Sequence, residues 1–84
     1  MTADSDRLEI RAEMVAQVHS IVTPLGAQVR AGDTVVLLES MKMEIPVNSD
    51  IDGRVIDLSV SPGDVIHEGD LIAVISAALH DGGA

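Results

Sequence analysis

The stretches Gly26-Ala-Gln-Val-Arg-Ala-Gly32-Asp33-Thr-Val-Val-Leu-Leu38 and Gly63-Asp-Val-Ile-His-Glu-Gly69-Asp70-Leu-Ile-Ala-Val-Ile75 follow one pattern, G-x-x-[VI]-x-x-G-D-x-[VI]-x-[LV]-[LI]. A shift of 37 residues lays residues 14–38 on 51–75. Val18 then meets Val55, and Gly32-Asp33 meets Gly69-Asp70. Four identities in 25 pairs carry little weight alone. The shared glycine spacing carries more, because a tight turn that needs positive φ costs glycine nothing. Two copies are too few for a solenoid. They suffice for a closed body with a pseudo-two-fold axis, each copy covering the other's apolar face.

Outward from the repeat, six runs read as strands: Leu8 to Arg11, Val18 to Val22, Thr34 to Glu39, Met43 to Val47, Gly53 to Leu58 and Leu71 to Ile75. Gly, Pro and Asp punctuate the links, as in Thr23-Pro24-Leu25-Gly26 and Ser61-Pro62-Gly63-Asp64. No apolar 3.6-residue period persists for ten residues, so no substantial helix is expected. Short strands at near-regular spacing predict a small all-β sandwich or flattened barrel. Its interior should hold Val18, Ile21, Val29, Val35, Leu37, Val55, Leu58, Ile66, Ile72 and Val74. Pro46 suits an edge position on the second arm of a hairpin. The same two-fold puts the link from Glu39 to about Asp50 at one end and both termini at the other. Residues 1–6 and 78–84 read as disordered tails around one domain, 7–77.

Composition narrows the function. Eighty-four residues without Phe, Tyr or Trp must build a core from 26 Val, Ile and Leu, and the excess of β-branched types favours strands. No run approaches the length of a membrane span, and Met1-Thr-Ala-Asp-Ser-Asp lacks a signal peptide's basic and apolar regions. A cytoplasmic protein is expected. With no cysteine there is neither disulfide nor thiolate metal site. A formal charge of −9 repels phosphate backbones and anionic lipid, so neither nucleic acid nor membrane is an expected partner. His19, His67 and His80 show no ligand spacing, and no Ser, His and acid set suggests a hydrolase.

One cation stands out. Lys42 is the sole lysine, centred in Glu39-Ser40-Met41-Lys42-Met43-Glu44, while the other cations are Arg7, Arg11, Arg30 and Arg54. Two-residue hairpin turns favour Asn-Gly, Asp-Gly or Gly-X, and Ser-Met-Lys-Met offers none of these. A local rule broken against the global plan is the usual mark of a functional site. Met41 and Met43 have two readings, as flexible packing residues or as recognition elements. Together with Met14 they could in principle bind Cu(I) through their thioethers. Glu39 and Glu44 are either solvated charges or contacts for a partner. Asp33 and Asp70, each following glycine, suit a structural role in matched turns.

The segment around Lys42 is similar to the attachment motif of the biotinyl/lipoyl domain family, in which the central lysine of Met-Lys-Met is biotinylated. The resemblance spans roughly residues 8 to 76 and includes Val35-Val36-Leu37-Leu38 and both Gly-Asp turns. It implies two four-stranded antiparallel sheets in a flattened barrel, with the lysine on an exposed hairpin. Within that family the chain resembles a free-standing biotin carboxyl carrier. The link from Val22 to Val29 is too short for the protruding thumb of some relatives, so a thumbless form is implied. The common motif has Ala where Ser40 stands, and an early Pro-Met-Pro-Gly-like segment is replaced by Glu13-Met14-Val15-Ala16.

The resemblance further implies covalent biotin on Lys42, with Glu39, Ser40, Met41, Met43 and Glu44 read by a biotin protein ligase. The carrier, a non-catalytic monomer, would then serve a biotin carboxylase and a carboxyltransferase. Lysine stem plus valeryl chain give a flexible arm of roughly 12 Å. Two alternatives belong to other classes. A lipoyl carrier has the same fold, but its lysine usually sits in Asp-Lys-Ala, without paired methionines. An unmodified interaction module would leave the lysine incidental.

Overall fold

Alternating apolar and polar residues between Gly, Pro and Asp punctuation cannot bury one face without a second sheet. The computed structural model, which describes residues 7–77, supplies it. Eight strands follow in order: β1 (Arg7–Arg11), β2 (Ala16–Ile21), β3 (Gln28–Val29), β4 (Thr34–Ser40), β5 (Met43–Asn48), β6 (Gly53–Leu58), β7 (Val65–Ile66) and β8 (Leu71–Ala77). They form two antiparallel four-stranded sheets, β1-β8-β6-β3 and β5-β4-β2-β7, with no helix among the described residues. We call these the terminal sheet and the lysine sheet. The expected tails, 1–6 and 78–84, lie outside the described residues, as does His80.

The two-fold is visible in the register. Leu38 opposes Ile45 in the lysine sheet, and their mates 37 residues on and back, Ile75 and Leu8, oppose each other in the terminal sheet. Gly32 N–H donates to the Ser49 carbonyl at 2.8 Å, and Gly69 N–H donates to that of Ala12 at the same distance. Each copy also sends its two-residue strand across, so that β3 pairs with β6 and β7 with β2. Neither half can therefore close its sheet without the other.

The repeated turns explain themselves locally. The two glycine positions of the motif all take positive φ, from 89° to 95°, where an L side chain would be strained. The Asp33 and Asp70 carboxylates accept from the amides of Arg30 and His67 at 3.0 and 2.9 Å, closing matched turns. Asp64 does the same for Ser61 at 2.8 Å. Its mate is Ala27, because Pro24 has no N–H to satisfy. Pro46 lies on β5, an edge strand, where its missing donor is harmless.

Val18, Val35, Val55 and Ile72 are fully buried at the centre, and Val29 and Ile66 are buried beside them. The remaining four expected core residues, Ile21, Leu37, Leu58 and Val74, are half-buried. For Leu37 and Val74 the reason is a change of parity. Register shifts between Thr34 and Val36, and between Val18 and Ser20, break strict alternation along β4 and across its partner. Val36 and Leu38 therefore turn inward beside Val35, and Ala73 and Ile75 do so in β8. Ile21 and Leu58 end their strands and pack against the core margin.

Candidate functional site: the hairpin carrying Lys42

Ser40 and Met43 are the last partners of the β4–β5 ladder, so only Met41 and Lys42 remain to reverse the chain. A two-residue loop that matches the right-handed twist of its strands needs positive φ at both positions. Met41 takes φ 52° and Lys42 φ 66°, the only non-glycine residues with positive φ among those described. Such conformations cost about 1–3 kcal/mol each for residues with a Cβ. The long β4–β5 ladder, anchored by buried Val36 and Leu38, imposes the turn on a sequence that does not favour it.

The strained turn is a lysine holder. Lys42 is exposed and forms no ion pair with a described residue. Met41 is 91% exposed and Met43 62%, so neither is a packing residue. Large apolar side chains this exposed beside one amine are suited to contact with another molecule. Below the tip, half-buried Glu39 and exposed Glu44 face each other across the ladder. Like charges directly opposite are mildly destabilising, and their two-fold mates are Ser76 and Arg7. Ser40 is half-buried at the shoulder. The motif residues expected to act together thus share one protruding feature.

One neighbour was not legible in the sequence. His19 is the extra residue of the β2 bulge, and its Nε2 lies 3.9 Å from Glu44 Oε2 across the lysine sheet. Both side chains are largely solvated, so the pair contributes little to stability. Its position depends on the bulge, which no spacing rule announces. Met14 lies elsewhere, over the groove between β1 and β5 with Leu38 and Ile45.

The chain offers no enclosed chamber at the tip, only a projecting amine with apolar and acidic flanks. Nothing in this geometry hinders access of a second molecule to the amine.

A barrel of two interleaved β-repeats with lysine at its hairpin defines a carrier architecture, and comparison with known proteins agrees. The chain belongs to the biotin/lipoyl attachment family, whose model, described as biotin-requiring enzyme, matches residues 8–75. It is 59% identical over 68 residues to the biotinylated protein TB7.3 homolog of Mycobacterium leprae, covering 81% of this chain and 96% of that one. Among solved structures, a single-chain, multi-domain long-chain acyl-CoA carboxylase matches with a TM-score of 0.80 and 30% identity, over 88% of this chain. The match spans only 8% of that enzyme. The lipoyl domain of the 2-oxoglutarate dehydrogenase complex from Azotobacter vinelandii shares the fold, with a TM-score of 0.68 at 18% identity, over 82% of this chain and 98% of that one.

Proposed function

We propose that this chain is a biotin carboxyl carrier, with biotin held on Lys42 by an amide bond. The observation that carries the reading is the turn itself: the only lysine occupies a strained, fully projecting hairpin tip between two exposed methionines. A biotin protein ligase would take a proton from the ammonium, let Nζ attack the acyl carbon of biotinyl-AMP, and release AMP. Met41 and Met43 offer that ligase apolar contacts, and Glu39, Ser40 and Glu44 fix the approach. After the amide forms, the chain's formal charge changes from −9 to about −10.

When attached, biotin supplies a ureido nitrogen that accepts a carboxyl group at one active site and yields it at another. The protein contributes the arm and the tether, and no acid, base or nucleophile of its own. An arm of roughly 12 Å on a projecting tip lets one carrier visit a biotin carboxylase and then a carboxyltransferase. Tethering replaces a dilute encounter with an effective concentration on the order of millimolar. Residues 7–77 form the working unit, a monomer acting in the cytoplasm. No helix among the described residues is long and apolar enough to cross a membrane.

A lipoyl carrier is the nearest rival, since its fold is shared, yet Met-Lys-Met lacks the Asp-Lys-Ala of lipoyl sites. Protein from the native host, blotted with streptavidin and with a lipoyl-specific antibody, separates the two. Streptavidin signal alone is expected. Antibody signal alone contradicts the biotin reading.

A further inference from the structure

The internal two-fold is a control built into the molecule. Mated positions share backbone and register, so the scaffold asks the same of both. A difference in side chain marks a demand from elsewhere. One row across the terminal sheet runs Arg7, Ser76, Arg54, Gln28. Its mate across the lysine sheet runs Glu44, Glu39, Gln17, Val65. The hairpin accounts for the acidic row beneath it. Nothing at the hairpin accounts for the basic one.

In a chain of net charge −9, all four arginines lie on the terminal sheet or on the turn that leaves its edge strand β3. Arg54 forms no ion pair with a described residue. Its Nη1 donates to the Gly26 carbonyl at 2.8 Å, which fixes the guanidinium against the loop from Val22 to Ala27. On that loop Leu25 is 61% exposed. Gly26 N–H donates to the Val55 carbonyl at 2.8 Å, which ties the loop next to Leu25 to β6 next to Ile56, a further exposed aliphatic residue. The mates of Leu25, Ile56 and Arg54 are Pro62, His19 and Gln17. Two large aliphatic residues and a held cation are thus gathered here. The mated surface carries a single exposed aliphatic, Val65, beside Gln17, whose neutral amide donates to the Gly63 carbonyl at 3.4 Å in place of a guanidinium.

We propose that the terminal sheet around Arg54, Leu25 and Ile56 is a second docking surface, occupied by a carboxylase subunit that presents carboxylates around an apolar hollow. This rests on the carrier reading above. Charge complementarity selects the partner: a carboxylate-rich surface is repelled by most of this acidic chain and attracted to the row Arg7, Ser76, Arg54, Gln28, which holds two guanidinium groups and no acid. On the neighbouring positions Glu9 is paired with Arg11, and Asp57 follows Ile56. An apolar centre with a charged rim has the make-up of a protein interface. The two-fold carries this patch away from Lys42, toward the strands that begin at Arg7 and end at Ala77. A partner held there leaves the arm unobstructed.

Binding is measured by calorimetry against purified biotin carboxylase and carboxyltransferase subunits of the host's acyl-CoA carboxylase. The proteins compared are the biotinylated parent, biotinylated Leu25→Ser/Ile56→Ser/Arg54→Glu, and Lys42→Arg. The parent and Lys42→Arg should bind one subunit with affinities within about threefold of each other, and the triple variant at least about tenfold more weakly. If thermal unfolding shows the triple variant misfolded, Ile56→His/Arg54→Gln replaces it, since the same scaffold already carries those residues at the mated positions. Binding by the folded variant equal to the parent's, loss of binding in Lys42→Arg alone, or no binding to either subunit overturns the docking surface. The carrier reading is checked separately by the parent's intact mass. A parent without biotin overturns that reading, while Lys42→Arg compared with the triple variant still decides the docking surface.

Discussion

The two ends of this molecule are built from one backbone plan and carry different side chains. At the lysine end β4 and β5 are joined by Met41-Lys42. At the other, β8 and β1 pair in the matching register, Ile75 on Leu8 as Leu38 on Ile45, with no turn between them. The ladder forms in both cases, so the turn is not what holds the strands together. Its strain is tolerated because the pairing beneath it is sufficient alone. The difference separates what the fold requires from what the site requires: paired strands, buried Val and Ile, and Gly-Asp turns recur, while the methionines, the amine and the facing acids occur once.

Breaking the two-fold where packing differs should give the largest effect. Gly53 and Ala16 are mates, and both are buried. A Cβ on Gly53 would fall on the Ser76 carbonyl oxygen and 2.9 Å from Ile75 Cγ2. Gly53→Ala should therefore destabilise by about 3 kcal/mol, and Ala16→Gly by about 1 kcal/mol. Equal losses in denaturant melts would remove the close approach as the reason for glycine.

The turn comes next. Met41→Gly should stabilise the protein by about 1 kcal/mol, because glycine takes positive φ without a Cβ penalty, and should slow biotinylation. An unchanged or lower melting temperature would show that the turn stores no strain. Replacing Met41 and Met43 together by Leu keeps apolar volume at solvated positions. Stability should move by less than about 0.5 kcal/mol while the biotinylation rate falls several-fold. A rate equal to the parent's would assign ligase recognition to other residues. The smallest change is expected from Glu44→Arg, which copies the mate, Arg7, and removes the facing like charges. A gain of a few tenths of a kcal/mol is expected. A loss would mean that the contact with His19 outweighs the repulsion from Glu39.

Much of this was legible in the sequence. The repeat predicted the two-fold and the matched Asp turns, the apolar runs between turn residues predicted six of the eight strands, and the missing N–H of Pro46 predicted its edge position. Two-residue strands such as Gln28–Val29 and Val65–Ile66 are too short to show alternation, and they form because the other copy offers an edge to pair with. Parity was misread at Leu37 and Val74 for a related reason. A bulge is a property of two strands together, and neither strand's sequence displays it. At the site the conflict between Met-Lys and its turn was readable. The nearness of His19 to Glu44 and the gathering of arginines on one sheet were not, because both depend on which strands become neighbours.

The central claim is that this lysine, at this tip, is the point of attachment. Intact mass spectrometry after co-expression with a biotin protein ligase tests it most directly, on the parent and on Lys42→Arg. The account predicts one biotinyl group on the parent, none on the variant, and superimposable thermal melts, since an exposed turn residue contributes little to the core. A parent that gains no mass, or a variant that still does, would contradict it.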